Sequence, residues 1–299
     1  KKNYIVLNST IANIGGAEVY ISHKCNHLKT LGYKVFVFSF ERGNVVLKNL
    51  KVYDAYVLPE LKVMFRRSNA KIRRTVLEAF MNLHLEGDVI IESNIDNLNL
   101  WGEYIAKKIG AYHICFLLPE KNIMAAADVP FYEFKYKREQ LYGIKERLIT
   151  DFFNNGKEYP NTHLKAVGCN TGTVSEGDSI EIKGFIETGC TILSLGRLNK
   201  PYISTMLDAI RDFAKEHTTT NINLLIVGGY MQTNVQTKID AMQGSNVRVF
   251  LLGELNPVPQ NLFSLSDAAI AVSGCARICS RQGVPTITVD GNDLQGIGV

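Results

Sequence analysis

The chain has 299 residues, 46% hydrophobic and 21% charged, the ordinary balance of a soluble globular protein and more length than one core of roughly 250–300 residues holds, so two domains are expected. A formal charge of only +4, with Lys and Arg widely spread and no RNA-binding or zinc-finger motif, excludes nucleic acid as the expected partner. No apolar run approaches the ~20 residues that span a bilayer, and the N-terminus KKNYIVLNST has no signal-peptide cleavage pattern, so a cytoplasmic location is expected.

In chain order, YIVLNS (4–9) reads as a strand, Ala17 to Leu31 as a helix stopped by Gly32, and KVFVFSF (34–40) as the next strand. This is a βαβ unit and predicts parallel pairing. The loop between them holds Asn13, Ile14, Gly15, Gly16, Ala17 and Glu18. Its glycines allow close backbone approach, and the following helix N-terminus favours an anion. Further on come a strand at 52–57, a helix at 69–86, strands at 88–93 and 113–118 around a helix at 97–109, and a long helix or helix pair over 132–155. Residues 62–74, KVMFRRSNAKIRR, hold six cations and no acid, including Arg66, Arg67, Arg73 and Arg74.

Residues 156–190 are rich in turn formers, which places the domain boundary inside 165–190 and predicts domains at 1–175 and 188–299. Alternation then resumes, with strands at 191–195, 222–227, 247–252, 268–272 and 286–289 and helices near 203–216, 232–243 and 258–266. Two Rossmann-like domains facing across a cleft is the expected α/β architecture, with ligands at the carboxyl ends of the strands. The junction TILSLGRLNK (191–200) aims backbone N–H groups and two cations, Arg197 and Lys200, at one crevice, which suits a diphosphate. Six cysteines lie far apart except Cys275 and Cys279, and a buried, reduced role is expected for them rather than a metal site.

The order of these pieces resembles the group 1 (family four) glycosyltransferases, which have the GT-B fold. The matching elements are the GGAE loop with LGYKVFVFSF, then TILSLGRLNKPYISTMLDAIRDFAKEH, LLIVGGY, VRVFLLGEL, NLFSLSDAAIAVS and GVPTITVD. The resemblance implies a retaining, hexosyltransferase-type enzyme that moves a sugar from a nucleotide-sugar donor to a glycan or lipid-linked acceptor in bacterial surface polysaccharide synthesis. No cofactor or metal is implied. Gly15 and Gly16 would lie near the donor phosphates, with Arg197 and Lys200 neutralising the leaving diphosphate. The chain departs from the family at 273–283, where SGCARICSRQG replaces a segment carrying two glutamates. Arg277 there either contacts donor phosphate or solvates a helix. Glu120, after the strand HICFLL, either binds an acceptor hydroxyl or caps the next helix. The basic segment would give peripheral contact with an anionic inner membrane face at ~1 kcal/mol per cation, or is simply solvated surface. Without the paired glutamates, a non-catalytic nucleotide-sugar-binding relative or scaffold subunit is the alternative, and a nucleotide-sugar epimerase a third.

Overall fold

The computed structural model describes residues 1–10, 16–41, 54–118, 125–143, 148–153, 159, 174–175, 177–242, 246–289 and 296–298. The chain divides into two compact units, Lys1–Gly168 and Cys169–Val299. Each is a Rossmann-like domain with its own six-stranded sheet.

The first unit runs β1 (Lys2–Thr10), α1 (Gly16–Thr30), β2 (Tyr33–Glu41), β3 (Asp54–Val57), α2 (Ala70–Met81), β4 (Asp88–Ser93), α3 (Asp96–Ile109), β5 (Tyr112–Leu117), α4 (Val129–Lys137), β6 (Leu141–Gly143) and α5 (Leu148–Phe153). Its strands are all parallel in the order β3-β2-β1-β4-β5-β6. This is the doubly wound order, and strand addition reverses between β1 and β4, where such sheets open a crevice at their carboxyl ends. The strands read as unbroken apolar runs because both faces are covered. Ile5, Leu7, Phe36, Phe38 and Ile91 pack with Val76 and Phe80 of α2 and Leu98, Trp101 and Ile105 of α3. The alternate residues Tyr4, Val6, Val35 and Val37 pack with Ile21 and Cys25 of α1.

Local signals set the helix ends. Asn69 caps α2 by accepting a hydrogen bond from Ile72 N at 2.9 Å, and Gly110, at φ 71°, supplies the left-handed residue that closes α3. The helix expected over 69–86 stops at Met81 because Leu83 and Leu85 leave the helical register to pack against the first core. The long helix or helix pair expected over 132–155 is a pair, α4 and α5, with β6 between them pairing Leu141 with Cys115 of β5. A three-residue strand has no periodicity of its own and exists by its pairing.

The second unit runs β7 (Val174–Ser175), β8 (Cys190–Leu195), α6 (Pro201–Glu216), β9 (Ile222–Val227), α7 (Thr233–Met242), β10 (Val247–Gly253), β11 (Val258–Pro259), α8 (Gln260–Ser264), β12 (Ala268–Ala271), α9 (Ser273–Arg281), β13 (Thr286–Val289) and β14 (Gly296–Gly298). The sheet order is β10-β9-β8-β12-β13-β14, parallel except for β14. Here the reversal lies between β8 and β12. Tyr202, Ile203, Met206, Leu207, Ile210 and Ala214 form the buried stripe of α6 against Ile222, Leu224 and Ile226, a 3.6-residue period. Val258 and Pro259, expected in a helix, instead pair with β7, and the helix after them is only five residues long.

Candidate functional site

The carboxyl edge of the second sheet is fixed by backbone contacts among three loops. Gly196 N donates to Val227 O at 2.9 Å, Leu198 N to Gly229 O at 2.8 Å, and Gly228 N to Gly253 O at 2.8 Å. A Cβ on Gly228 would stand 1.8 Å from Gly196 O, and one on Gly229 would stand 2.0 Å from Glu254 Oε1. At 228 only glycine allows this backbone approach, whereas the Glu254 side chain could swing from a Cβ at 229, so the loop after β8 rests on the loop after β9 as on a platform.

From that platform Arg197 projects into solvent and Lys200 lies half-buried. Lys200 is the N-cap of α6, and neither α6 nor α9 has an acidic residue in its first turn or a side-chain cap. A cation at a helix N-terminus opposes the helix dipole, and α9 starts at the strand-order reversal from Ser273, strained at φ 53°. Burial pushes the thiol pKa of Cys275, in the first turn of α9, upward, and the Arg197 charge pulls against it, so the guanidinium is within electrostatic reach of that turn. The hydroxyls of Ser194 and Tyr202, both buried, face one another, and among the described residues no other group pairs with them. Burial raises the Tyr202 phenol pKa, so it stays a donor. Two helix N-termini without an acid in their first turns and two cations thus lie at one sheet edge, a charge arrangement that suits an anion.

The first unit holds a different constellation. Ser93 Oγ lies 2.8 Å from His113 Nε2, and Glu103 Oε2 lies 3.1 Å from His113 Nδ1, the order of a nucleophile, base and acid. Ser93 and His113 are 0% and 2% exposed, so no substrate reaches Oγ. The chain continues inward through Asn99, 2.6 Å from Ser93 Oγ, to Tyr132 at 3.1 Å. Burial lowers the His113 pKa to about 4, hydrogen bonding to Glu103 opposing it, so the ring is neutral at pH 7. Burial alone would raise the Glu103 pKa, but hydrogen bonds from His113 and Lys135 and the Lys135 charge hold it well below the usual range. Gly102 fits this packing, since a Cβ there would come 2.3 Å from His113 Nε2. The cluster locks α3 and α4 to the sheet; it is not a hydrolytic triad. A second buried carboxylate, Glu92, takes hydrogen bonds from Tyr4 and Lys24.

Of the sites expected from sequence, Arg197 and Lys200 stand together on one turn, with Lys200 N bonded to Arg197 O at 3.3 Å. Arg277 is exposed on α9, one turn beyond its start. Gly15 and Glu120 lie outside the described residues. Gly16 begins α1, whose first turn already carries a carboxylate, Glu18, bonded to Thr10 Oγ1 at 2.9 Å. The basic segment is two 3-10 turns, Pro59–Lys62 and Phe65–Arg67, followed by α2, and is not one continuous helix. Lys62, Arg66 and Arg74 pair with Glu41, Asp128 and Glu78. Arg73 lies over the Phe65 ring at 4.5 Å and donates to Ser68 Oγ. Arg67 and Lys71 remain exposed. The cysteines at 25, 115, 190, 275 and 279 are free thiols. Sequence reasoning missed the buried Ser194–Tyr202 pair, recognisable only once α6 is packed on β8.

No family model and no curated protein sequence matches the chain. Solved structures do match in fold. A glycosyltransferase from Rickettsia africae superposes with a TM-score of 0.62 at 12% identity, over 97% of this chain and 79% of that one. TarM of S. aureus, in a complex with fondaparinux, alpha-GlcNAc-glycerol and UDP, gives 0.59 at 9% identity over 98% and 86%. WaaG, a glycosyltransferase involved in lipopolysaccharide biosynthesis, gives 0.58 at 13% identity over 97% and 82%. Identities this low establish the fold, two Rossmann-like domains as in GT-B glycosyltransferases, and nothing finer.

Proposed function

We propose that the protein is a GT-B glycosyltransferase that takes a sugar from a nucleotide-sugar donor and transfers it to a glycan or lipid-linked acceptor in surface polysaccharide synthesis. The observation that carries the reading is the convergence at the β8 and β12 ends: Arg197, Lys200 and the starts of α6 and α9, with no acid in either helix's first turn. In sugar transfer the developing negative charge is on the leaving diphosphate, so preorganised cations and helix N-termini lower the barrier where it is highest. Arg277 lies one turn along α9 and serves the same charge. The resemblance implies retention at the anomeric carbon and a hexosyl donor. It implies no metal, the cations taking over the diphosphate charge.

A second reading, a nucleotide-sugar-binding subunit without turnover, is favoured by one observation: α9 (SGCARICSR) contains no carboxylate, where the family it resembles usually carries a longer segment with two glutamates. Incubating the protein with UDP-, GDP- and dTDP-sugars and an oligosaccharide acceptor separates the readings. Transfer is expected to release nucleoside diphosphate in 31P spectra, with the donor's anomeric configuration kept in the product's 1H spectrum. Binding without turnover supports the second reading, and an epimerised nucleotide sugar without diphosphate release supports an epimerase. Among the described residues no helix is long and apolar enough to cross a membrane. A cytoplasmic protein touching the inner membrane face through Arg67 and Lys71 completes the proposal.

A further inference from the structure

Three loops at the second sheet's carboxyl edge are tied in a row: Leu198 N donates to Gly229 O at 2.8 Å, and Gly228 N to Gly253 O at 2.8 Å. Neighbouring strands lie ~4.8 Å apart, so the ends of β8, β9 and β10 span roughly 10 Å, with Arg197 and Lys200 at one end and Glu254 at the other. Among the described residues that follow β8, β9, β10 and β12, at 196–200, 228–232, 254–257 and 272, Glu254 is the one acid. The helices α6, α7 and α9 that start on this edge carry no acid in their first turns.

The Glu254 side chain rests on bare backbone. Its Oε1 lies 2.0 Å from where a Cβ on Gly229 would stand, and Gly229 is the residue bonded to the Arg197 loop. Glu254 is half-buried, yet no hydrogen bond or ion pair engages its carboxylate among the described residues. A carboxylate partly out of water without a partner is costly, and its two oxygens suit a ligand with two adjacent donors. The next residue along the β9 loop is a second exception. Tyr230 has φ 65°, a left-handed backbone that bulky residues rarely adopt, and strain of this kind clusters at ligand sites. Its ring is 45% exposed, the surface on which a nucleobase stacks.

A nucleotide whose diphosphate meets Arg197 and Lys200 has its nucleoside free to follow this row. Bases differ in what they offer a carboxylate. Uracil and thymine present one N–H between two carbonyl oxygens, and adenine an amino group beside an acceptor nitrogen, so each sets an acceptor against a carboxylate oxygen. Guanine presents a ring N–H and an exocyclic amino group side by side, two donors that a carboxylate accepts together. We propose that Glu254 and Tyr230 read a guanine base, Glu254 through those two donors and Tyr230 by stacking, so that the donor is a guanosine diphosphate sugar. The choice of base rests on the transfer reading, which by itself leaves the base open.

The test is isothermal titration of the full chain with GDP, inosine diphosphate, deoxy-GDP, UDP and ADP, on wild type, Glu254→Gln and Tyr230→Gly. GDP is expected to bind at least ~10-fold tighter than UDP or ADP, the discrimination of a two-bond base contact. Inosine diphosphate, which lacks the exocyclic amino group, is expected to bind more weakly than GDP, and deoxy-GDP as tightly. Glu254→Gln is expected to lower GDP affinity ~10-fold or more with UDP affinity unchanged, and Tyr230→Gly to weaken every nucleotide. Glycine takes the left-handed backbone freely and Glu254 has no partner to lose, so both variants are expected to melt within ~3 °C of wild type. Tighter binding of UDP or ADP, or unchanged GDP affinity in either variant, would overturn the guanine assignment and leave the transfer reading standing. Equal losses of GDP and UDP in Glu254→Gln, with weak deoxy-GDP binding, would also overturn it by marking a ribose contact. A melting loss above ~5 °C in Glu254→Gln would show the carboxylate engaged in the fold and overturn it too. Failure of every nucleotide to bind would sink both readings.

Discussion

The two sheets share one strand order and differ in what they present at their carboxyl edges. In the second, Arg197 and Lys200 stand beside two helix N-termini that no acid compensates. In the first, the same position holds Asp96 near Asp128, and Arg66 and Lys24 are already paired. One strand order thus carries opposite charge at its two carboxyl edges. The buried His113 cluster beneath the first edge is hydrogen-bonded throughout.

Breaking the platform under the second edge has the largest expected effect. Gly228→Ala drives a Cβ into Gly196 O at 1.8 Å, a backbone collision that no rotamer relieves. A loss of more than ~3 kcal/mol is expected, seen as a lower urea midpoint together with loss of diphosphate binding. A wild-type midpoint would show that the loops after β8 and β9 are not tightly stacked.

At the first edge the charge itself can be titrated. Burial, then the Asp128 charge, raises the Asp96 pKa from the ordinary carboxylate range to about 6. The folded state therefore holds the Asp96 proton more tightly than the unfolded chain does. That stabilising contribution is complete below ~3.9 and is lost as pH rises through about 6. At pH 7 the ionised group costs ~1–3 kcal/mol. Asp96→Asn lacks this penalty, so its melting temperature relative to wild type is expected to climb between pH 4 and pH 7. A difference independent of pH would place Asp96 in solvent.

The smallest effect concerns the basic segment. With four of its six cations occupied within the domain, Arg67 and Lys71 carry the remaining attraction, ~2 kcal/mol together. Changing these two to Gln is expected to reduce sedimentation with anionic vesicles at low salt more than changing Arg66, Arg73 and Arg74. Equal effects would mean that the ion pairs do not hold at a membrane surface.

Long apolar periods were legible in the sequence. β4, β9 and β13 fall at the residues expected from their runs, and α6 from its stripe. β6 and β11 were hidden because three or two residues carry no period, and α9 because SGCARICSR has little apolar content outside Ala276, Ile278 and Cys279. The GRLNK loop announced itself through glycine and cations beside a strand end. Glu254 and Tyr230 did not, because one acid and one aromatic after strand ends look like any loop until β10 is paired with β9. The basic run 62–74 was legible as charge, whereas its partners Glu41, Glu78 and Asp128 lie in part far along the chain.

The central claim is that the second sheet's edge is built for a diphosphate. Isothermal titration of UDP, GDP, dTDP and ADP, beside the matching nucleosides, tests it on wild type and Arg197→Ala. The account predicts that at least one nucleoside diphosphate binds, that its nucleoside binds far more weakly, and that Arg197→Ala costs ~10-fold or more in affinity, the ~1.5–3 kcal/mol of a charge-assisted contact. No binding by any of the four, or an unchanged dissociation constant in Arg197→Ala, would contradict it.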